Sequence, residues 1–182
     1  MSYSLQKTVV LVGMMGAGKT AIGKALATEL NVPFLDSDEE ITKAANRSIA
    51  EIFERDGEAF FRERETEVIT RLLKEERGVL STGGGAFLSE RNRDVIAKTG
   101  FSLWLQADLD LLWARVRHKN TRPLLRTDNP YKTLKSLYEL RVPAYSKAEA
   151  VVLGRADFSI EDMRDAVIET LLTVPDLLKV TP

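Results

Sequence analysis

The sequence predicts an α/β fold of three layers, in which a parallel sheet lies between two layers of helices. Short apolar runs alternate with segments of helical periodicity along the whole chain of 182 residues. The apolar runs are nearly continuous, which is typical of strands that are buried on both faces of a parallel sheet. Strand and helix alternate five times, and this order indicates helices that cover both faces of that sheet.

The first half of the chain carries three of the five predicted strands. An apolar run at 8–12 predicts a buried strand, and the helical spacing of Ile22, Leu26 and Leu30 predicts a helix over 19–30. The same criteria predict a strand over 32–36, a helix that opens at 48–53, a long helix over about 58–75 and a strand over 78–82.

The second half continues the alternation, with one interruption. Its predicted elements are a helix over 90–98, a strand over 101–106, helices over 108–119 and 131–147, a strand over 150–153 and a helix over 159–172. The polar stretch at 120–130 breaks all periodicity and predicts a loop. Residues 1–5 and 174–182 carry no such pattern, so we expect loose ends on a single domain that spans 1–182.

Composition excludes several classes of function. Lysine and arginine number 26 against 27 acidic residues, a net charge of -1, so the whole chain carries no basic excess for nucleic acid or an anionic membrane. Cysteine is absent, which excludes disulfides and thiolate metal sites. No apolar stretch approaches the length of a membrane-spanning helix. We expect a cytoplasmic protein that binds neither membranes nor nucleic acid.

A phosphate-binding motif follows the first strand. Residues 13–20 read GMMGAGKT and match the P-loop pattern G-x-x-x-x-G-K-[ST]. Glycines let the backbone curl so that its N–H groups point at phosphate oxygens, and the next helix adds its positive end. In this motif Lys19 reaches the β- and γ-phosphates, and the hydroxyl of Thr20 is available to Mg²⁺. The sequence therefore predicts a nucleotide site, the alternative being a structural glycine turn.

Other motifs narrow the class of P-loop protein. The chain contains neither D-x-x-G nor N-K-x-D, the patterns expected of a GTPase switch protein, and it is short for an ATPase motor. These observations favour a kinase that acts on a small acceptor. Such an enzyme also needs an acceptor pocket, charge neutralisation around the transferred phosphoryl group and a lid that excludes water.

Two carboxylates follow the second predicted strand. Asp36 and Asp38 lie two residues apart directly after this strand, and the two carboxylates can serve different partners. One could hold Mg²⁺ through water, while the other orients an acceptor hydroxyl and takes its proton. The alternative is that one of them caps the next helix.

Three further features are candidates for an acceptor pocket or lid. The glycine run at 83–85 follows a strand and is typical of backbone that approaches a ligand closely. Arg122 lies in the aperiodic stretch and is either a lid cation or a solvated loop residue. Arg141 is suited to a bidentate clamp on a carboxylate. Arg62, by contrast, reads from its own helix as a solvated partner of neighbouring glutamates.

Taken in order, these motifs resemble those of the shikimate kinase family over about residues 7–172. The matching segments are GMMGAGKT, FLDSDEEI, SIAEIFERDGEAFFRERE, GGGA, TRPLL and YELRVPAY. The resemblance implies a nucleoside-monophosphate-kinase-like fold whose five-stranded parallel sheet has the order 2-3-1-4-5. It also implies phosphorylation of the 3-hydroxyl of shikimate by MgATP, in the biosynthesis of chorismate and aromatic amino acids, by an enzyme that we expect to be a monomer.

The resemblance also implies roles for individual residues. Asp38 corresponds to the base that contacts the shikimate hydroxyls, and Asp36 to the aspartate near Mg²⁺. Arg62 and Arg141 correspond to the arginines that hold the carboxylate. The expected shikimate-binding set is Asp38, Arg62, Gly83, Gly84, Gly85 and Arg141, on helices over about 38–75 and the elements that face them.

The resemblance also implies which residues bind ATP and the metal. The expected ATP-binding set is Gly16, Ala17, Gly18, Lys19, Thr20, Ala21, Arg115, Arg122 and Arg155. The expected catalytic residues are Lys19, Asp38 and Arg122, and the expected metal-binding residues are Thr20 and Asp36. Arg115 is the candidate for stacking on adenine, with Arg117 as the alternative, and a lid spans about 117–131. Where many family members carry Asp-Thr, this chain reads VVLGRADFS, and Arg155 is the candidate contact there.

Two other functions remain open at the level of sequence. Another small-molecule P-loop kinase, such as a gluconate kinase, would share the P-loop and lid but would not require the glycine run with Arg62 and Arg141. A non-catalytic nucleotide-binding module is the other alternative, and it predicts damage at Asp38, Arg62 or Arg141. All three residues are present.

Overall fold

A five-stranded parallel sheet forms the centre of the computed structural model, which describes residues 1–118 and 125–182. Its strands, in chain order, are β2 (Thr8–Val12), β3 (Phe34–Asp36), β4 (Val79–Ser81), β5 (Gly100–Gln106) and β6 (Ala150–Leu153). The spatial order is β3-β4-β2-β5-β6, and every neighbouring pair is parallel. This order is the predicted 2-3-1-4-5 when the five strands are counted along the chain, so the predicted fold class is confirmed.

Helices lie on both faces of the sheet. They are α1 (Lys19–Leu30), α2 (Ser37–Ala45), α3 (Ile49–Glu75), α4 (Glu90–Thr99), α5 (Leu109–Val116), α6 (Pro130–Tyr145) and α7 (Ile160–Leu172). Helix α1 packs against α7, whereas α3 packs against α2 and α4. Among the described residues, no helix combines the length and apolarity that crossing a membrane requires.

Helix α3 joins two segments that the sequence separates. Its backbone leaves helical geometry at Gly57, where φ is 85° and ψ is 169°. A φ of this sign favours glycine, because a side chain would clash with the backbone. The kink therefore separates the predicted opening at 48–53 from the predicted long helix over 58–75.

The two chain ends are ordered, and the prediction of loose ends at 1–5 and 174–182 is wrong. Strand β1 (Ser2–Leu5) pairs antiparallel with β7 (Leu178–Thr181), and Leu5 lies opposite Leu178. Both leucines are buried, as is Leu177. Each end is too short to be stable alone, and its partner lies at the other end of the chain, so a local sequence pattern could not reveal the pairing.

The core of the sheet positions the functional residues. All five residues of β2 are buried, as expected for the central strand of a doubly covered sheet. Because the strands are parallel, their carboxyl ends meet at one edge, where ligands of open α/β sheets bind. The P-loop follows β2, Asp36 ends β3 and the glycine run follows β4, so all three lie at this edge.

Candidate active site

The P-loop curls between β2 and α1 as the motif predicts. Gly16 and Gly18 have φ values of 86° and 95°, which the missing side chain permits. The ammonium group of Lys19 donates hydrogen bonds to the carbonyls of Gly13, at 2.6 Å, and Met14, at 3.1 Å. Lys19 also begins α1, so the N-terminal end of that helix and the lysine side chain serve the same loop.

Helix α5 supports the P-loop from behind. Nη1 of Arg115 donates a hydrogen bond of 3.0 Å to the carbonyl of Gly16. A methyl group at Gly16 would lie 2.8 Å from Cγ1 of Val116, so the glycine also permits this close packing. Arg115 therefore reaches the nucleotide-binding loop, whereas Arg117 is exposed and its Nε contacts the imidazole of His118.

Asp36 and Asp38 have different surroundings at the end of β3. Oδ1 of Asp36 accepts hydrogen bonds from the backbone N–H groups of Asp38, at 2.9 Å, and Glu39, at 3.2 Å. Asp36 is thus the N-cap of α2, the alternative that the sequence left open for one member of the pair. Its second carboxylate oxygen is not part of this cap.

Asp38 is a half-buried carboxylate directed into the site. Its Oδ1 is buried and has no hydrogen-bond partner among the described residues. Burial raises the pKa of Asp38 above its ordinary value of 3.8, as does the nearby charge of Asp36, while Lys19 and Arg62 lower it. Asp38 therefore lies in the field of one cation from the P-loop and one from α3.

Three glycines bring three charged residues together. In the glycine loop (Gly83, Gly84 and Gly85), a methyl group at Gly83 would lie 2.9 Å from Oδ1 of Asp38. At Gly84 it would lie 2.5 Å from Nη1 of Arg141, and at Gly85 it would collide with Nη2 of Arg62. Each glycine thus makes room for one predicted acceptor-binding side chain, and any Cβ would displace that side chain or the loop.

Two buried residues near Arg62 were not predicted from the sequence to be parts of the site. Glu65 is 1% exposed and accepts hydrogen bonds from Nη1 of Arg62, at 2.9 and 3.1 Å. Asn92 is fully buried and donates to the carbonyl of Ala86, at 2.9 Å. The spacing of three residues between Arg62 and Glu65 predicts an ion pair, but Glu65 is buried instead of solvated as expected. No local signal points to Asn92.

Helix α6 contributes Arg141 together with a residue that the sequence analysis did not select. Arg141 is 7% exposed, and its Nε has no hydrogen-bond partner among the described residues. Tyr145 lies one turn later and donates a hydrogen bond of 2.6 Å to the carbonyl of Gly84. The spacing of four residues places both side chains on one face of the helix, a signal that could have identified Tyr145.

The other residues predicted to belong to the site make no described contact with the glycine loop. Thr20 and Ala21 are exposed near the start of α1, and Ala17 is buried in the loop. The guanidinium of Arg155 lies over the ring of Phe158, 5.4 Å from its centroid. Arg122 lies outside the described residues, as does part of the predicted lid over 117–131.

The residues predicted to bind metal fit Mg²⁺ by their donor type. Thr20 provides a hydroxyl oxygen and Asp36 a carboxylate, and Mg²⁺ prefers oxygen donors. The described residues contain no group of three or more histidine, cysteine, aspartate or glutamate side chains that could hold a metal ion.

Comparison with known proteins decides the family. The family model described as shikimate kinase matches residues 15–172. The chain belongs to the shikimate kinase family. It is 63% identical to a shikimate kinase of Ruegeria pomeroyi, over 98% of this chain and 91% of the relative. It is 62% identical to one of Cereibacter sphaeroides, over 96% of this chain and 87% of the relative.

Solved structures of the family have the same fold. Shikimate kinase from Acinetobacter baumannii, solved in complex with shikimate, superposes with a TM-score of 0.85 at 36% identity, over 92% of this chain and 93% of that chain. The enzyme from Aquifex aeolicus superposes with a TM-score of 0.79 at 34% identity, over 91% and 96% of the two chains. The predicted resemblance and the assignment to a phosphotransferase of the P-loop kinase fold are confirmed.

The alternative functions are not favoured by these comparisons. A gluconokinase from Sinorhizobium meliloti superposes with a TM-score of 0.62 at only 18% identity, over 92% of each chain. A likeness at that identity shows a common fold alone. The residues predicted to bind the acceptor, which a gluconate kinase would not require, are all present and clustered around the glycine loop in this member of the shikimate kinase family.

Proposed function

We propose that this chain transfers the γ-phosphoryl group of ATP to the 3-hydroxyl of shikimate. One observation carries the proposal: the glycine loop packs against Asp38, Arg62 and Arg141 together, at the same edge of the sheet as the P-loop. Two guanidinium groups and one carboxylate suit an acceptor that is itself a carboxylate with several hydroxyl groups. A neutral sugar would leave the buried guanidinium of Arg141, whose Nε has no hydrogen-bond partner among the described residues, without an anionic partner.

The acceptor side of the proposed site divides into binding and proton transfer. Arg62 and Arg141 bind the shikimate carboxylate, and the glycine loop forms the floor against which the ring lies. Asp38 orients the 3-hydroxyl and takes its proton, for which its otherwise unbonded buried oxygen is suited. The cations of Lys19 and Arg62 stabilise the ionised form of Asp38 that this role needs.

The nucleotide side neutralises the charge of the transferred group. Backbone N–H groups of the P-loop and the ammonium of Lys19 bind the phosphates, and preorganised positive charge of this kind is usually the largest catalytic contribution. Thr20 and Asp36 would hold Mg²⁺, which when bound neutralises phosphate charge and orients the phosphates. Arg115 and Arg155 are the proposed contacts to the adenine end, and Arg122 is the proposed lid cation.

Several broader properties belong to the same proposal. The chain acts as a single domain and as a monomer. It works in the cytoplasm, where ATP is available, and its partners are ATP and shikimate rather than nucleic acid or membranes. The helices α2 and α3 form the shikimate-binding region, and residues over 117–131 form the lid.

The decisive experiment measures ADP release by the purified protein with MgATP. Shikimate should stimulate release strongly, whereas gluconate and the absence of an acceptor should not. Stimulation by gluconate instead would contradict the acceptor assignment, and ATP binding without stimulation by either would favour a non-catalytic module. Asp38→Asn should lower turnover by about 10²–10⁴-fold and leave ATP binding intact, since a positioned base contributes about that much. Glu39→Gln, on the exposed side of the same helix, is the matched control.

A further inference from the structure

Tyr145 is the largest fully buried side chain among the described residues, and its hydroxyl touches the candidate active site. Its side chain is fully buried at the C-terminal end of α6, one turn after Arg141. The two side chains lie on the same face of the helix, which is the face directed at the glycine loop. The proposed function assigns Arg141 a role and leaves Tyr145 without one.

The glycine loop is held between these two side chains. The hydroxyl of Tyr145 donates a hydrogen bond of 2.6 Å to the carbonyl of Gly84. A methyl group on Gly84 would lie 2.5 Å from Nη1 of Arg141 and 3.6 Å from the hydroxyl oxygen of Tyr145. The middle glycine thus occupies the gap between an arginine and a tyrosine of a single helix. Any movement of Gly84 changes its position relative to the guanidinium of Arg141.

The hydroxyl is a permanent donor in this place. Burial raises the pKa of Tyr145 to about 12, although the nearby charge of Arg141 opposes that shift. Tyr145 therefore keeps its proton throughout the neutral range and can always donate to Gly84. The same residue reaches the nucleotide side, because its hydroxyl lies 3.9 Å from the sulfur of Met14 in the P-loop and its ring packs 6.0 Å from that of Trp104.

We infer that Tyr145 is a positioning residue that holds Gly84 against Arg141 and thereby sets the affinity for the acceptor carboxylate. This role rests on the proposed function. Removing the hydroxyl leaves the Gly84 carbonyl without this donor in a partly buried place, and the loop is then free to move away from Tyr145. Movement of the loop changes the acceptor pocket beside Arg141, whereas the hydrogen bonds of Lys19 within the P-loop do not involve Tyr145.

The test compares Tyr145→Phe with Tyr138→Phe. Both substitutions remove one hydroxyl from α6, and Tyr138 is a half-buried tyrosine that lies outside the proposed machinery. Binding of shikimate and of ADP is measured separately by titration calorimetry, and steady-state rates give the KM of each substrate. For Tyr145→Phe we expect about 10-fold weaker shikimate binding and an equal rise in its KM, the loss of about one buried hydrogen bond, while ADP binding stays within about twofold. Tyr138→Phe should match the unaltered protein in every measurement.

The separation of the two affinities distinguishes positioning from a general loss of stability. Shikimate binding by Tyr145→Phe within twofold of the unaltered protein, or equal weakening of shikimate and ADP, would overturn the inference. Failure of the unaltered protein to bind shikimate would overturn the proposed function, and this role with it. Should Tyr145→Phe not fold, as judged by circular dichroism, Gly84→Ala tests the same contact from the loop, and unchanged shikimate affinity in that variant would also overturn the inference.

Discussion

The guanidinium of half-buried Arg62 and the carboxylate of buried Glu65 form an ion pair one turn apart on α3. Nη1 of Arg62 lies 2.9 and 3.1 Å from the two carboxylate oxygens, and Glu65 is 1% exposed. Arg62 itself remains 31% exposed and faces the glycine loop. Glu65 therefore holds Nη1 of the guanidinium, while Nε lies 3.7 Å from the exposed Glu58 and Nη2 faces the glycine loop.

Glu65→Gln tests whether this pair positions Arg62. The substitution keeps the shape of the side chain but removes its charge, so the guanidinium is held less firmly. We expect the KM for shikimate to rise about 10-fold, in line with the loss of a charge-assisted hydrogen bond, with the KM for ATP unchanged. Glu67→Gln breaks the exposed pair with Arg64 at the same spacing and should have no effect. Equal shikimate KM values in the two variants would contradict a positioning role for Glu65.

The raised pKa of Asp38 makes stability depend on pH. Burial, followed by the charge of Asp36, raises this pKa above 3.8, so the folded protein holds the proton more tightly than the unfolded chain does. The resulting stabilisation is fully present below pH 3.8 and is lost as the pH rises through the raised value. As the pH rises through this window, the free energy of unfolding should fall less in Asp38→Asn than in the unaltered protein. Urea denaturation at a series of pH values measures both. Identical pH dependence in both proteins would show that Asp38 does not contribute.

Arg115 and Arg117 lie close together in the chain but differ in their contacts. Because Arg115 holds the carbonyl of Gly16, Arg115→Ala should loosen the P-loop as well as remove the proposed adenine contact. We expect ADP to bind about 10-fold more weakly to this variant, the loss of about one charge-assisted hydrogen bond. Arg117→Ala should bind ADP like the unaltered protein, and the reverse order of effects would identify Arg117 as the nucleotide contact. Titration calorimetry with ADP measures both.

Two substitutions on β7 test whether the pairing of the chain ends stabilises the fold. Leu178 is buried opposite Leu5 in the pairing of β1 with β7, whereas Val180 on the same strand is 51% exposed. Leu178→Ala should lower the free energy of unfolding by about 2–4 kcal/mol, because it leaves a cavity in the packing. Val180→Ala should change it by less than about 1 kcal/mol. Equal small effects in guanidinium denaturation would mean that the chain ends do not stabilise the fold.

Sequence patterns identified the central elements because their signals are local. The continuous apolar runs of the parallel strands and the helical spacing of residues such as Ile22 and Leu26 follow from the immediate surroundings of each segment. The P-loop is equally local, since its glycines and Lys19 act within eight consecutive residues. The paired ends were missed for the opposite reason, because neither β1 nor β7 is a stable strand without the other.

The sequence by itself determined the five central strands and their order along the chain, the P-loop and, through the ordered set of motifs, the family. These features depend on residue type and spacing, which the chain carries directly. Only the tertiary structure decided that Asp36 caps α2, that Glu65 is buried beside Arg62, and that each glycine of the loop receives one charged side chain. It also decided the contact between Tyr145 and Gly84, which lie 61 residues apart. Such contacts join segments that are distant in the chain, so their geometry and burial exist only once the elements have packed.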